Sequence, residues 1–364
     1  MPKAATHIVL IGAGHAHVEV LRSFRIRPEP HVHLTLLTKS KAAPYSGMVP
    51  GYVAGHYSRS DIDIQVDRLA EFEHCKAVYG RVVRLEANSR SMMLSDGNEV
   101  VGDIISIDVG AVTDTSAAPV TSGLLVSVKP MDDFETRWPA IEQVMTSSPN
   151  VRIAVVGAGA AGVELALAIR QRLRAIAGAP PIVLLERSDQ ILAGYSGKAR
   201  ARLVRILKAQ DIETRTGFSG FNKHGANEEF GVLVWAAGVS PAPWLIDSGL
   251  AVDQQGFIAV NSQLQSVSHP AIFAAGDAAG MVTTPRPKSG VMAVRQGPIL
   301  AENLRRAARG VPLKSYTPQK QWLSIISAGS GYAVATRGFW STEGRWVWKW
   351  KDWLDRRFIN RFSF

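Results

Sequence analysis

Cysteine is almost absent from this sequence, and its scarcity excludes several classes of protein. The 364 residues contain a single cysteine, Cys75. One thiol cannot form an internal disulfide, a CxxC redox pair or a metal site built from several thiolates. Chemistry that needs paired thiols within one chain is therefore excluded.

Long hydrophobic runs are missing as well. The longest apolar stretch, residues 153–169, contains three glycines and Glu164. It falls short of the roughly 20 residues that a membrane-spanning helix needs, so we predict no transmembrane helix. Residues 1–7 carry one lysine and lead directly into a β-branched run. Because this is not the pattern of a secretory signal, we expect a cytoplasmic protein.

The composition is otherwise that of an ordinary globular protein, with 46% hydrophobic and 20% charged residues. At roughly 150 residues per domain, the length predicts two or three domains. The net charge of +10 is compatible with nucleic acid, an anionic membrane surface or anionic cofactors, and it does not distinguish between them.

Two segments share the pattern of a buried strand, a glycine turn and a helix. The first spans residues 7–24 and the second residues 151–169. Each is followed by another buried strand, at 33–38 and 182–186, as a βαβ unit requires. One glycine fingerprint alone is weak, but two in this context predict an α/β fold with two Rossmann-like dinucleotide-binding domains.

The glycines have a physical role in such turns. Without side chains, they let backbone N–H groups and the positive helix end approach a pyrophosphate. The first turn contributes Gly12 and Gly14, and the second contributes Gly157, Gly159 and Gly162. We therefore expect these five glycines to bind two dinucleotides.

The residue after the second buried strand predicts the nature of one dinucleotide. Glu186 ends that strand, where a carboxylate accepts hydrogen bonds from an adenosine ribose, which favours NADH. Arg187 beside it could instead meet a 2′-phosphate, so NADPH stays an alternative.

The first turn departs from the pattern. His17 replaces the third glycine, and Thr38 stands where the ribose-binding acid is expected. A turn that binds no adenine nucleotide is the alternative interpretation. His15 faces the cofactor phosphates or simply caps the turn. The pairs His15-x-His17 and His31-x-His33 lack a third ligand at a metal-binding spacing, so we predict no metal site.

A second motif, Ala-Ile-Phe-Ala-Ala-Gly-Asp at residues 271–277, carries a family resemblance. With the two turns, the chain resembles pyridine nucleotide-disulfide oxidoreductase-like flavoproteins without the redox disulfide, especially type II NADH dehydrogenases and sulfide:quinone reductases. The resemblance implies FAD as cofactor, with Gly276 and Asp277 closing its site and Gly110 and Gly238 ending the crossover strands. The loop from Pro44 resembles the segment bordering the isoalloxazine ring; a plain Ω-type loop is the alternative.

The resemblance also implies residues near the chemistry. Glu164 matches a glutamate near the flavin–nicotinamide contact, although an ordinary helix carboxylate is the alternative. Gln296 resembles a glutamine that lines the quinone pocket, with a helix-surface position as the alternative. Lys288, at the start of a predicted helix, could stabilise negative charge on the reduced flavin or on a quinone oxygen.

The C-terminal residues are rich in tryptophan and basic side chains. One helical face could hold six apolar residues: Trp346, Trp350, Trp353, Leu354, Phe358 and Phe362. Aromatic anchors with a basic rim suit a helix lying on anionic lipid. Packing on the protein's own body or on a second subunit of a homodimer is the alternative, and the alternation at Trp346, Trp348 and Trp350 would suit a strand.

These observations together predict an FAD domain split around an inserted NAD domain, plus a small C-terminal cap. The expected boundaries are 1–115 and 246–312 for the FAD domain, 116–245 for the NAD(P) domain, and 313–364 for the cap. The short segment 218–231 suggests a trimmed NAD domain.

We expect an enzyme that transfers hydride from NAD(P)H to FAD and electrons onward to a quinone, peripheral on the inner face of the membrane. The alternatives are another small-molecule or protein acceptor, or a slow NADH sensor with a basic nucleic-acid-binding surface. No recognised nucleic-acid module is present, so no nucleic acid is expected. Similar sequences attached to selenophosphate synthetase leave a selenium-related role open.

Overall fold

A five-stranded parallel sheet is built from the two ends of the chain. The computed structural model describes residues 5–119, 123–147, 151–176, 180–221 and 230–364. The strands of this first sheet, in spatial order, are Ile272–Ala274, Ile104–Ile107, Thr6–Ile11, Val32–Thr38 and Cys75–Tyr79. Most of their residues are buried, as expected for a parallel sheet covered on both faces.

Two long helices pack together against the first sheet. They are His15–Ile26 and Gly290–Arg309. Gly297 allows their close approach, since a Cβ there would lie 2.8 Å from the Cβ of Glu19. The second helix ends at Gly310, whose left-handed conformation is the one that glycine adopts readily at a helix C-terminus.

A second five-stranded parallel sheet is inserted between two strands of the first. Its strands, in spatial order, are Leu124–Ser127, Val232–Trp235, Ile153–Val156, Ile182–Leu185 and Ile212–Arg215. Its helices are Met131–Ser147, Ala160–Ile176 and Gly197–Ala209. The chain crosses between the two sheets through the antiparallel strand pair Val112–Thr113 and Val239–Ser240. The predicted architecture of two Rossmann-like units, one inside the other, is confirmed.

Shorter elements connect the strands of the first sheet, and the helix Val49–Val53 packs against the helix Ala160–Ile176 of the second unit. The strands are Val82–Glu86, Ser91–Leu94 and Glu99–Val101 in one antiparallel sheet, the antiparallel pair Ala42–Pro44 and Asp63–Gln65, and the parallel pair Ile258–Val260 and Ala279–Met281. The helices are Val49–Val53, Arg59–Ile62 and Val66–Leu69, with 3-10 turns at Pro243–Leu245 and Gly276–Ala278.

The C-terminal residues form a cap on the rest of the molecule. An antiparallel sheet of Ser324–Ser327, Ala333–Arg337 and Trp340–Gly344 leads into the helix Arg345–Asn360. The helix is tied to the body by hydrogen bonds, among them one of 2.8 Å from the Tyr57 hydroxyl to Asp352. The domain boundaries at 115, 245 and 312 stay predictions, and most of the segment 218–231 lies outside the described residues.

Candidate functional site

A large cavity lies between the two parallel sheets and the C-terminal cap. Its volume is about 1870 Å³, larger than the roughly 300–1,000 Å³ of an ordinary small-molecule pocket. Both glycine turns reach its wall, because each follows the carboxyl end of a central strand. Ligands of open α/β sheets bind at these ends. The geometry therefore brings together two dinucleotide-type turns that are about 145 residues apart in sequence.

The first turn is held by a residue that sequence reasoning missed. The Asp108 carboxylate accepts hydrogen bonds from the N–H groups of Ala16 (2.8 Å) and His17 (3.0 Å) and so caps the helix. A Cβ at Gly14 would lie 2.4 Å from this carboxylate, and Gly12 has a φ of +86°. An acid directly after the buried strand Ile104–Ile107 was the available signal.

Burial dominates the electrostatics of Asp108. Its side chain is almost fully buried, and this raises the pKa of the carboxyl to about 7. The N–H donors of His17 and Ala16 oppose the increase, whereas the negative charge of Asp277 adds to it. Near neutral pH this carboxyl can therefore be either protonated or ionised.

The two histidines of the first turn have different surroundings. His17, fully buried, has Nδ1 2.6 Å from Gly12 O and Nε2 2.8 Å from the Ser106 hydroxyl, so it joins the helix to the neighbouring strand. His15 lies on the cavity wall, with Nε2 3.2 Å from the Ser46 hydroxyl. Burial lowers the pKa of both rings to about 4. Both are therefore neutral at physiological pH.

Asp277 and Gly276 follow the last strand of the first sheet and lie beside the first turn. Asp277 lines the cavity and accepts a 2.5 Å hydrogen bond from the Lys129 ammonium. Gly276 donates its N–H to Oε1 of Gln296 over 2.7 Å. Gln296 is buried, so it is not a helix-surface residue, and it faces a side pocket of about 20 Å³ instead of the main cavity. Lys288 and Asp277 line both this side pocket and the main cavity, so Gln296 lies behind a part of the wall that these two residues form.

The second turn has the geometry that the sequence predicts. Gly157 has a φ of +96°, and a Cβ at Gly162 would lie only 1.8 Å from the Gly157 carbonyl oxygen. Gly159 lies on the cavity wall, and a Cβ at this position would have nothing within 4 Å. Glu186 accepts hydrogen bonds from Ala158 N (2.7 Å) and Ser188 N (2.9 Å), so its carboxylate is held at the edge of the turn.

Glu164 connects the second unit to the cap. Its Oε1 accepts a 2.8 Å hydrogen bond from Ser327 N, and burial raises the pKa of the carboxyl to about 7 against the opposing charge of Lys351. Lys351, on the C-terminal helix, donates to Asp355 and to the Gly47 carbonyl, each over 2.6 Å. The sequence places this lysine only among the basic residues around the apolar face of the C-terminal helix, and the packing of the cap brings it to the cavity wall.

Lys288 lies on the cavity wall just before the helix Gly290–Arg309. Its ammonium donates to Ala279 O over 2.5 Å and lies 3.6 Å from the centre of the Phe257 ring. Burial lowers the pKa of Lys288 to about 8, so the ammonium is mostly protonated at neutral pH. A cation at a helix N-terminus provides positive potential for an anionic or electron-rich ligand.

The other predicted site residues are placed as follows. Thr38, Pro44 and Gly110 line the cavity. Gly238 lies at the crossing strands, where a Cβ would be 3.3 Å from Asp114 Cβ. The binding and catalytic roles of all the predicted site residues stay predictions.

Thiol and metal chemistry have no visible centre in the described parts of the chain. Cys75 lies on an edge strand of the first sheet, and burial raises the pKa of its thiol to about 12. Within those same ranges, no group of three or more His, Cys, Asp or Glu side chains could hold a metal ion.

The apolar residues of the C-terminal segment are divided between packing on the body and exposure to solvent, and the helix Arg345–Asn360 excludes the strand that the alternation at Trp346, Trp348 and Trp350 would have suited. Leu354 and Phe358 line the cavity and Phe362 is buried, so these three pack on the body. Trp346 and Trp353 are 56% and 53% exposed. Among the described helices, none combines the length and the hydrophobicity needed to cross a bilayer.

Known proteins share both the sequence pattern and this fold. The family described as pyridine nucleotide-disulphide oxidoreductase matches residues 6–297. The NADH dehydrogenase-like protein YutJ of Bacillus subtilis is 22% identical over 334 residues, covering 88% of this chain and 89% of that protein.

Two solved structures have the same fold. The sulfide:quinone oxidoreductase of Aquifex aeolicus superposes with a TM-score of 0.81 at 15% identity, over 98% of this chain and 91% of that one. NDH2 from Plasmodium falciparum in complex with NADH superposes with a TM-score of 0.79 at 14% identity, over 98% of this chain and 97% of that one. The family match spans both glycine turns and Asp277, and the chain therefore belongs to the pyridine nucleotide-disulphide oxidoreductase family.

Proposed function

We propose that this protein is a flavoenzyme that binds FAD at the first glycine turn and NADH at the second, and reduces a quinone. One observation carries the proposal: both turns open onto the same cavity of about 1870 Å³. Two extended dinucleotides that enter from separate units can therefore meet within it. FAD, when bound, would accept a hydride from NADH and pass electrons to an acceptor.

The residues of the cavity fit FAD in three respects. Gly12 has the left-handed conformation that the turn requires, and His15 N, unlike the next two N–H groups of the helix, is not bound to Asp108. Gly110 has free space on the wall, with nothing within 4 Å of a Cβ position. Asp277 presents a partly exposed carboxylate that can accept hydrogen bonds from hydroxyl groups.

The chain contributes charge, proton transfer and exclusion of water. Lys288 and the N-terminus of its helix favour negative charge at one end of the reaction cavity. Glu164 can hold or release a proton near neutral pH, since its pKa is about 7. Tyr45 and Phe358, whose ring centroids lie 4.5 Å apart, put apolar surface on the cavity wall, which favours the exclusion of water from a bound ring.

An anaerobic titration tests the proposal. The purified protein is mixed with NADH and then with a short-chain quinone while the flavin absorbance is followed. We expect NADH to bleach the flavin and the quinone to restore it within seconds. Bound flavin that NADH does not bleach would refute the second turn as a donor site, and a bleached flavin that no quinone reoxidises would indicate another acceptor or a sensor.

Glu186 is expected to set the preference for NADH over NADPH. Glu186→Ala removes a carboxylate that can accept from the ribose, so the Kd for NADH should rise about tenfold, which is about 1.4 kcal/mol. The Kd for NADPH should rise much less, because the lost hydrogen bond from Ala158 N affects both nucleotides whereas Arg187 stays in place for a 2′-phosphate. Asp189→Ala, which removes an exposed acid three residues later, is the control. Equal losses for both nucleotides would contradict a role in ribose recognition.

We also propose peripheral attachment to the inner face of the membrane through the exposed part of the cap. Five aromatic residues of the cap are exposed, and exposed basic residues occur in the same part of the chain. The aromatic residues are Phe339, Trp340, Trp346, Trp353 and Phe364, and the basic residues include Arg345, Lys349 and Arg357. Aromatic and basic side chains together suit an anionic lipid interface.

Removing two tryptophans should weaken vesicle binding without affecting the soluble reaction. Trp346→Ser with Trp353→Ser is expected to reduce co-sedimentation with anionic vesicles about tenfold, because affinity scales with buried apolar area. Turnover with a short-chain, water-soluble quinone should stay the same. Ile246→Ser, at a 69% exposed position outside the cap, is the control. Unchanged vesicle binding would refute this surface as the membrane contact.

A further inference from the structure

Lys129 belongs to the inserted unit, which is built on the second sheet, and its side chain contacts the split unit, which is built on the first sheet, beside the first glycine turn. Lys129 follows the strand Leu124–Ser127, yet its ammonium lies 2.5 Å from Oδ2 of Asp277, which belongs to the split unit. Both side chains are mostly buried, with 23% and 16% exposed, and both line the cavity. The ion pair therefore joins the two units at the cavity wall.

The backbone of Lys129 is held by a crossing strand. Its N–H donates to the Thr113 hydroxyl over 2.8 Å, and Thr113 N donates to Lys129 O over 3.3 Å. Thr113 pairs in turn with Val239, on the second crossing strand. The position of the ammonium is thus fixed by the segments that connect the two units, and not by a flexible surface loop.

The charge of Lys129 acts on two other groups of the cavity wall. It contributes to lowering the pKa of His15, on the first turn, and of Lys288, before the long helix. Asp277 acts in the opposite direction on both groups. Lys129 therefore lies within electrostatic reach of each, and it neutralises a carboxylate that would otherwise leave net negative charge on the wall.

We propose that Lys129 is a cofactor-site residue supplied by the inserted unit, whose cation, positioned by Asp277 and Thr113, stabilises the negative charge that bound FAD gains on reduction. This inference rests on the proposed function, since it requires FAD in the cavity. A cation held in place before reduction needs no reorganisation when the charge appears, which is the condition under which electrostatic stabilisation is strongest. Asp277 without Lys129 would have the opposite effect.

The reduction potential of the bound cofactor tests the inference without involving NADH or a quinone. Lys129→Met and Lys129→Arg are purified with FAD, reduced anaerobically with a reference dye, and compared with the wild type. Compared with the wild type, Lys129→Met should weaken the binding of reduced FAD about tenfold more than the binding of oxidised FAD. For a two-electron couple this lowers the reduction potential of the bound cofactor by about 30 mV. Lys129→Arg keeps the cation and should keep the potential.

The outcomes separate this inference from the proposed function. A wild-type protein that binds no FAD refutes the proposed function, and the inference with it. A wild type that binds FAD, together with an unchanged potential in Lys129→Met, refutes the inference alone, because a purely structural ion pair would lower the melting temperature without moving the potential. Lys129→Met could lose FAD during purification. In that case Lys129→Gln replaces it, and the apoprotein is titrated with oxidised and with reduced FAD. The two Kd values give the same ratio of affinities as the potential.

Discussion

Alanine in place of Gly159 is expected to weaken NADH binding at least tenfold while the fold and the FAD content stay the same. The position is free of contacts, since nothing lies within 4 Å of a Cβ there, and its φ is not in the left-handed region. The methyl group therefore causes no strain in the protein. It occupies the space through which the backbone must approach a pyrophosphate, and about tenfold corresponds to about 1.4 kcal/mol.

The comparison with the neighbouring glycines shows why Gly159 is the informative position. Alanine at Gly157 would be strained by its φ of +96°, and alanine at Gly162 would meet a carbonyl oxygen at 1.8 Å. Alanine at either position would distort the turn itself. A lost affinity would then reflect the distorted turn and would not identify the ligand. Only at Gly159 does a loss of affinity report on the ligand itself.

Gly197 provides the matched control. It begins the helix Gly197–Ala209, also has nothing within 4 Å of a Cβ position, and does not line the cavity. Gly197→Ala should leave the NADH Kd, measured by quenching of NADH fluorescence or by bleaching of the flavin, at the wild-type value. Wild-type affinity in Gly159→Ala would show that NADH does not bind at the second turn.

The glycine turns were predictable from sequence because their constraint is local. A positive φ and a helix start are properties of a few consecutive residues, and Gly12 and Gly157 have these properties in the structure, with φ of +86° and +96°. The succession of strand, turn and helix repeats the same short-range pattern in both units. The fold class follows from these patterns, since βαβ units impose a parallel sheet.

Asp108 and Lys129 could not be predicted in the same way. The hydrogen bond from Ala16 to Asp108 joins residues 92 positions apart, and the ion pair of Lys129 with Asp277 joins residues 148 positions apart. No periodicity links such residues, and each one read alone is a charged residue at the end of a strand. Their roles depend on how the two units and the sheet edges are assembled.

Helical periodicity also does not determine which side of a helix meets which neighbour. Gln296 was expected to line a quinone pocket; the structure places it at a small side pocket behind the main cavity, where its side-chain oxygen accepts the N–H of Gly276. On the C-terminal helix, Phe358 faces the cavity whereas Trp353 faces solvent, although both belong to the predicted apolar face. The sequence shows that such a helix is amphipathic, but the direction of its apolar side depends on tertiary packing.

Asparagine in place of Asp108 is expected to raise the free energy of unfolding at pH 8 by up to roughly 4 kcal/mol and to change it little at pH 4. The folded pKa of this carboxyl is about 7, raised from 3.8 by burial. As the pH rises above 4, the unfolded chain ionises first while the folded chain stays protonated, so the wild type loses stability between pH 4 and 7. Asparagine has no charge to bury, and its carbonyl oxygen can still accept from Ala16 and His17.

Urea unfolding of wild type and variant, at matched cofactor content and at several pH values between 4 and 8, measures this difference directly. Glu164 has a similarly raised pKa, so the variant should retain part of the slope, and only the difference between the two curves belongs to Asp108. Asp96→Asn is the control, because its exposed carboxyl has a lowered pKa and should give a small effect of opposite sign. If Asp108→Asn instead destabilises the protein at every pH, the carboxylate is ionised in the folded state, and its charged hydrogen bonds to the helix N-terminus outweigh the cost of its burial.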